Sequence, residues 1–210
     1  DVNGFAGFGP YFEDTNGNGR IDENDTTRDS AIGLVLEDLD LGLVIMQNQD
    51  LFNPGFYLAA KMSITRIGLV GIPGVTMEAT DMELKINLGA SLESGLAVVD
   101  WAASFPAGDR DGDGEAEPLG FEVPTGNEDE PVIIDYDGLL IAVSGAAEID
   151  IFGVVKLSGV FDFELSDSGL VAFASGQLSI SAGDTDLLSV DALALLSITN
   201  AGLAMRLDIN

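Results

Sequence analysis

Residues 14–25 read DTNGNGRIDEND and place an oxygen-bearing side chain at almost every second position. A hard cation such as Ca2+ takes about six to eight oxygen ligands. The EF-type loop supplies them from positions 1, 3, 5, 7, 9 and 12, with glycine at position 6 for the sharp turn. Here those positions fall on Asp14, Asn16, Asn18, the carbonyl of Arg20, Asp22 and Asp25, with Gly19 at the turn and Ile21 at the apolar position 8. The one departure is aspartate instead of glutamate at position 12, a shorter arm. A second stretch, GDRDGDGEAEP at 108–118, starts the same way with Asp109, Asp111 and Asp113, then Gly114. The Glu115 carbonyl and Glu117 take positions 7 and 9. Position 12 is Gly120, so a closing carboxylate has to come from Glu122 or from the group Glu128, Asp129 and Glu130. The residues flanking both loops have no helical character, so the helix opening of EF-hand sensors has nothing to move. The expected role is a calcium clamp that ties down a long acidic loop.

Other chemistries find little support. The chain of 210 residues has no histidine and no cysteine, which removes the commonest general base and the Cys/His zinc sites. With 36 acidic residues, carboxylate pairs at glycosidase spacing arise by chance. The stretch GFAGFGPYF at 4–12 has phosphate-loop-like glycines, but no helix follows it and its surroundings repel phosphate. No catalytic residue is assigned, and a non-enzymatic role is expected. The formal net charge of −28 opposes binding to nucleic acid and to anionic membrane surfaces and attracts divalent cations. A hydrophobic content of 46% is too high for a disordered polyanion, and no uncharged apolar run is long enough for a membrane-spanning helix.

The elements that must hold these loops are strands. In DMELKINL (81–88), Met82, Leu84, Ile86 and Leu88 alternate with Asp81, Glu83, Lys85 and Asn87. From Leu139 to Leu165 every odd position is apolar or glycine. One strand of that length would span about 90 Å, so it must fold back without losing parity. A three-residue loop, Phe152-Gly153-Val154, pairs Ile151 with Val155 and does this; SDSG at 166–169 supplies the next turn. Residues 187–198 alternate as well and read as strand. The frame G-L-x-x-x-x-S-G recurs between 137–153 and 168–184 at an offset of 31, and Gly-Leu also opens runs near 32, 67 and 201. Stretches such as GLLIAV (138–143) and PVII (131–134) are apolar on both faces, as expected of strands that are buried on both sides or covered by another copy.

These features predict an all-β chain: a repetitive, mostly antiparallel sheet (stacked hairpins in a sandwich or a solenoid) with two long acidic calcium loops. Residues 1–30 read as an aromatic-glycine linker plus the EF-type loop. Residues 31–210 read as the β domain, interrupted by the acidic loop 104–131. The beginning at Asp1 and the end in GLAMRLDIN give the appearance of a piece of something longer.

The stretches GLVGIPGVTMEATDMELKIN (68–87) and VSGAAEIDIFGVVKLSGVFDFELS (143–166), with the dockerin-like loop at 14–25, resemble repeat modules of very large secreted bacterial surface proteins. The resemblance implies a calcium-stabilised extracellular module of a fibre, stalk or adhesin at the cell surface. Its partners would be other copies or neighbouring repeats. The alternatives are an adhesin module binding a glycan or surface through its acidic loops, and a β-groove carrying an apolar ligand.

Overall fold

The computed structural model describes residues 2–19, 25–48, 52–92, 95–110, 112, 114–125, 131–183 and 185–210. The chain is all-β. Strand β1 (Val2–Phe8) lies at one end of the main sheet, while β2 (Phe12–Glu13) and β3 (Thr26–Thr27) form a separate ribbon. Three long strands follow: β4 (Ile32–Gln47), β5 (Gly55–Val70) and β6 (Val75–Ser91), with the short β7 (Gly95–Leu96) beside β6. The chain then leaves the sheet through helix α1 (Trp101–Ser104) and the ribbon of β8 (Phe121–Val123) and β9 (Val132–Ile134). It returns as β10 (Leu140–Ile151), β11 (Val155–Ser166), β12 (Gly169–Ala182), β13 (Thr185–Thr199) and β14 (Gly202–Ile209).

The main sheet is an antiparallel meander in the order β1-β4-β5-β6-β10-β11-β12-β13-β14. Among the described residues, no strand pairs with the outer edge of β1 or of β14. Residues 2–8, read in the sequence as linker, are thus an edge strand. The long apolar-alternating run folds as expected, with Ile151 opposite Val155 across Phe152-Gly153-Val154. Phe152 (φ 54°) and Gly153 (φ 66°) both take the left-handed conformation, and the Gly153 amide donates to Asp150 Oδ1 at 2.7 Å. The next turn is Asp167-Ser168, with Ser166 opposite Gly169. The Gly-Leu frame has a partial structural meaning. Gly138, Gly169 and Gly202 precede or open β10, β12 and β14 at one end of the sheet, marking a two-strand period. Gly33 opens β4 at the opposite end, and Gly68 lies within β5.

The pairing register carries one residue set across the whole sheet. Leu43, Ala60, Ile86, Ile141, Leu165, Leu170, Ile198 and Leu203 stand in one cross-strand row. Parallel rows on the same face hold Leu41, Met62, Leu84, Val143, Phe163, Ala172, Leu196 and Met205. This smooth face carries no charged side chain between Leu34 and Ile209 in the paired positions. The opposite face carries the charges, among them Lys61, Lys85, Arg66, Glu83, Asp162 and Asp191, with apolar residues interspersed.

A line of irregularities keeps the faces consistent. Asp38 (φ 52°) and Asp81 (φ 51°) each occupy a left-handed position that aspartate tolerates better than a branched residue would. Together with Thr65 they are left out of the pairing, so the smooth face skips from Leu36 to Leu39, Ile64 to Ile67 and Ala79 to Met82. The register shifts on β1 and β10 end this line at either side. Such bulges bend a sheet locally and increase its twist. The Asp38 amide is satisfied by Asn3 Oδ1 of β1 at 2.9 Å. On the charged face beside the bend, Arg66 bridges Glu78 at 2.9 Å and Glu37 at 3.3 Å.

The buried core lies on the charged face of β4–β6, under the excursion between β7 and β10. Trp101, Ile134, Tyr136 and Ala59 form it, with Val44, Phe105, Phe121 and Leu140 around them. Asn87, placed by sequence alternation among solvent-facing residues, is 1% exposed. Its amide donates to the carbonyls of Val99 (2.9 Å) and Gly138 (2.7 Å), and its oxygen accepts the Trp101 indole N–H at 3.0 Å. One side chain therefore joins the departure and return of the excursion to β6.

Tyr136 donates its hydroxyl to the Ala60 carbonyl at 3.1 Å. Burial pushes its phenol pKa up, and the carboxylates of Asp135 and Glu83 push it further. A raised folded-state value means that the associated stability is present below the unfolded value of about 10 and is lost as pH rises above it. Tyr136→Phe is expected to lower stability by about 1 kcal/mol at pH 7 and to flatten the loss above about pH 10. Urea midpoints at pH 7 and pH 10.5 check this; an unchanged alkaline slope would remove Tyr136 as its source.

Candidate cation loops and the uncovered sheet face

The first acidic loop is anchored by a ribbon where an EF-hand has helices. Phe12 pairs with Thr27 and Glu13 with Thr26, which brings the two ends of 14–25 together. Arg28 reinforces the ribbon through Nε on Glu13 Oε2 at 3.0 Å, and this hydrogen bond holds the Glu13 carboxyl below its ordinary range. Inside the loop the chain wraps around Asp14. Its Oδ1 accepts the Gly17 amide at 2.6 Å and its Oδ2 the Gly19 amide at 2.8 Å. Gly17 (φ 73°) and Gly19 (φ 78°) take left-handed conformations that allow this approach. Asn16 Oδ1 accepts the Asn18 amide at 2.8 Å, and Asp25 Oδ1 closes the loop on the Thr15 amide at 2.9 Å. Arg20 and Asp22, predicted ligands at positions 7 and 9, lie outside the described residues.

The second loop repeats this hydrogen-bond frame. Asp109 Oδ1 accepts the Gly112 amide at 2.6 Å and Oδ2 the Gly114 amide at 3.1 Å, at the same offsets as around Asp14. The closing contact also recurs, with Glu117 Oε2 accepting the Arg110 amide at 2.6 Å. Glu117 closes this loop on the residue after its first aspartate, as Asp25 does in the first loop. Glu122 sits in the β8–β9 ribbon opposite Ile133, while Asp111, Asp113, Glu128, Asp129 and Glu130 lie outside the described residues. The ends of the loop meet where Gly108 and Glu117 exchange two backbone hydrogen bonds of 3.1 Å. Arg110 donates to the carbonyls of Pro106 and Pro118 and lies 6.0 Å over the Phe105 ring, which stacks on Trp101. The second loop is thereby fastened to the core.

The described donors suit a hard cation: carboxylates and side-chain amides, with Asp14 and Asp109 each retaining lone pairs beyond the two amides they accept. Among the described residues, no three acidic side chains converge into a metal-sized cluster. Glu115, expected to offer its carbonyl, is exposed.

The other candidate surface was legible in part from the sequence. Among the described residues, no second layer covers the smooth face. Leu34 is 56% exposed, Ile45 57%, Leu157 45% and Met205 76%. Across β6 and β10–β13 a row of small residues, Ala79, Ala147, Gly159, Gly176 and Ala192, forms the floor of an apolar trough. Beside it, Ile149, Leu157 and Phe161 help line a depression of about 320 Å³. In GLLIAV, expected to be buried on both sides or covered by another copy, the chain itself covers one side: Leu140 packs against the Trp101 cluster, while Ile141 and Val143 face the open side. Among the described residues no helix is long and apolar enough to cross a membrane.

No family model matches the chain, and no curated protein or solved structure does so either.

Proposed function

We propose that the chain is a structural, non-catalytic module of an extracellular fibre or surface stalk. It associates with further copies through strand edges and its apolar face, and calcium rigidifies it. The observation that carries this reading is the single-layer sheet itself: among the described residues, ten strands with a face free of charge in its paired positions and two edges without a partner strand. Stable domains bury each hydrophobic sheet face against another layer, and an exposed edge is a template for another strand. Both features favour assembly over the recognition of a small ligand.

The calcium part rests on the shared frame of the two loops. Asp14 and Asp109 each gather two amides at the same spacing, and a carboxylate closes each loop. A cation there would offset repulsion among the acids of a chain with net charge −28. At a free concentration 100 times the dissociation constant, such a site adds about 2.7 kcal/mol of stability.

Thermal unfolding in millimolar calcium and after chelation tests this reading. Chelation is expected to lower the midpoint, and Asp14→Ala and Asp109→Ala should each remove part of the difference. The double variant should melt identically in both conditions. A wild-type midpoint indifferent to calcium would end the clamp assignment and leave the assembly reading to stand on the sheet alone.

A further inference from the structure

We infer that the smooth face is covered by a second copy of this chain, stacked face to face, so that two single-layer sheets make one sandwich. The inference deepens the self-association part of the proposed function and rests on it. It does not depend on calcium.

Area supports this occupant. The chain exposes 13150 Å². A compact monomer of its 21.9 kDa mass would expose about 9,300 Å². The excess is about 3,900 Å² per chain, so two chains carry more surplus surface than the roughly 2,000–5,000 Å² in total that a large obligate interface buries. An extended apolar plane calls for another plane. A single acyl chain in the trough would leave most of β4, β5 and β14 exposed. Another sheet stacks at about 10 Å and interdigitates side chains over the whole surface. The row of small residues beside Ile149, Leu157 and Phe161 provides the relief that interdigitation needs.

Charge supports it too. Two chains of −28 repel each other, yet the paired positions of the smooth face contain no charged group, and the sheet's charges project from the opposite face. In the stacked pair those two charged faces lie about 20 Å apart, counting the sheet spacing and the side chains beyond it. That is more than twice the Debye length of about 8 Å at physiological ionic strength. The repulsion is therefore largely screened, while the same net charge keeps anionic lipid surfaces away.

The test is sedimentation velocity on the whole chain over a range of concentrations, in low and high sodium chloride, with and without chelator. Native mass spectrometry runs alongside to detect bound lipid. A species of twice the 21.9 kDa chain mass is expected, persisting in chelator and tightening with salt. Leu41→Glu combined with Leu157→Glu is expected to weaken dimerisation at least 100-fold. Because such a variant can fail to fold, a second measurement uses the absence of native cysteine. Single thiols from Ala174→Cys and Ala194→Cys, on the smooth face, should become protected from maleimide as concentration rises. A thiol from Ser158→Cys, on the charged face, should react at one rate throughout. Larger species that leave the Ala174→Cys and Ala194→Cys thiols reactive would overturn the face-to-face pair but keep the module reading, with assembly through edges. A monomer with a reactive smooth face at every concentration would overturn both. A monomer carrying lipid mass would replace the second copy with an apolar ligand.

Discussion

Trp101→Ala is expected to lower stability by about 4–6 kcal/mol and to loosen the entire excursion between β7 and β10. Truncating a buried aromatic costs about 3–5 kcal/mol through lost transfer energy and the remaining cavity. Here the ring also stacks on Phe105 at 6.0 Å, meets Phe121 at 5.7 Å and donates its N–H to Asn87. Losing that donor leaves a buried amide oxygen unpaired, at a further cost of about 1–3 kcal/mol. Few of the described residues are fully buried, and Trp101 is the largest of them, so little else can compensate locally. Urea unfolding followed by circular dichroism gives the magnitude. Hydrogen exchange gives the location: β4–β6 and residues 97–110, 114–125 and 131–138 should lose protection, while β11–β13 retain theirs. A change under about 1 kcal/mol would mean that the layer over β4–β6 is ornamental to stability.

Asn87→Leu, which keeps the branched shape of the side chain but replaces its polar atoms by bulkier methyl groups, is expected to cost about 3–4 kcal/mol. It strands the carbonyls of Val99 and Gly138 and the Trp101 indole N–H together, and each buried polar group left without a partner costs about 1–3 kcal/mol before relaxation. Its effect should not add to that of Trp101→Ala, because the two variants break a common hydrogen bond. A double-mutant cycle is expected to show a coupling of about 1–2 kcal/mol. Additive effects would mean that water replaces the missing partners, and that Asn87 fastens the return of the chain less tightly than the geometry indicates.

Asn87 also illustrates how far the sequence can be read. Alternation in DMELKINL assigns it to a polar face, and it is indeed on the face with Glu83 and Lys85. What alternation lacks is any knowledge that Val99, Trp101 and Gly138 are brought over that end of β6 and turn a solvent position into a buried one. The strands themselves were legible because period-2 patterning follows directly from the pleat. The odd-numbered run from Leu139 to Leu165 fixed its own turn by parity. The bulge line had a fainter trace. Leu36-Glu-Asp-Leu39, Ile64-Thr-Arg-Ile67 and Ala79-Thr-Asp-Met82 each place two polar residues between apolar ones where alternation requires one. Only strand pairing shows that the three slips align. In the acidic loops the first aspartates and their glycines were readable from spacing. Glu117 as the closing group was not, because its role comes from the Gly108–Glu117 pairing that shortens the loop.

The meander order has a mechanical consequence. Each strand of the main sheet is held mainly by the strands beside it, and a load applied to the β14 edge acts on one pair at a time. Peeling then proceeds hairpin by hairpin from β14 through β11, releasing about 190 Å of chain at roughly 3.4 Å per residue. It halts at β10, where Leu140 and Asn87 tie the sheet to the Trp101 layer. A stalk built from such modules would yield softly at first and then stiffen, a shock absorber with a built-in stop.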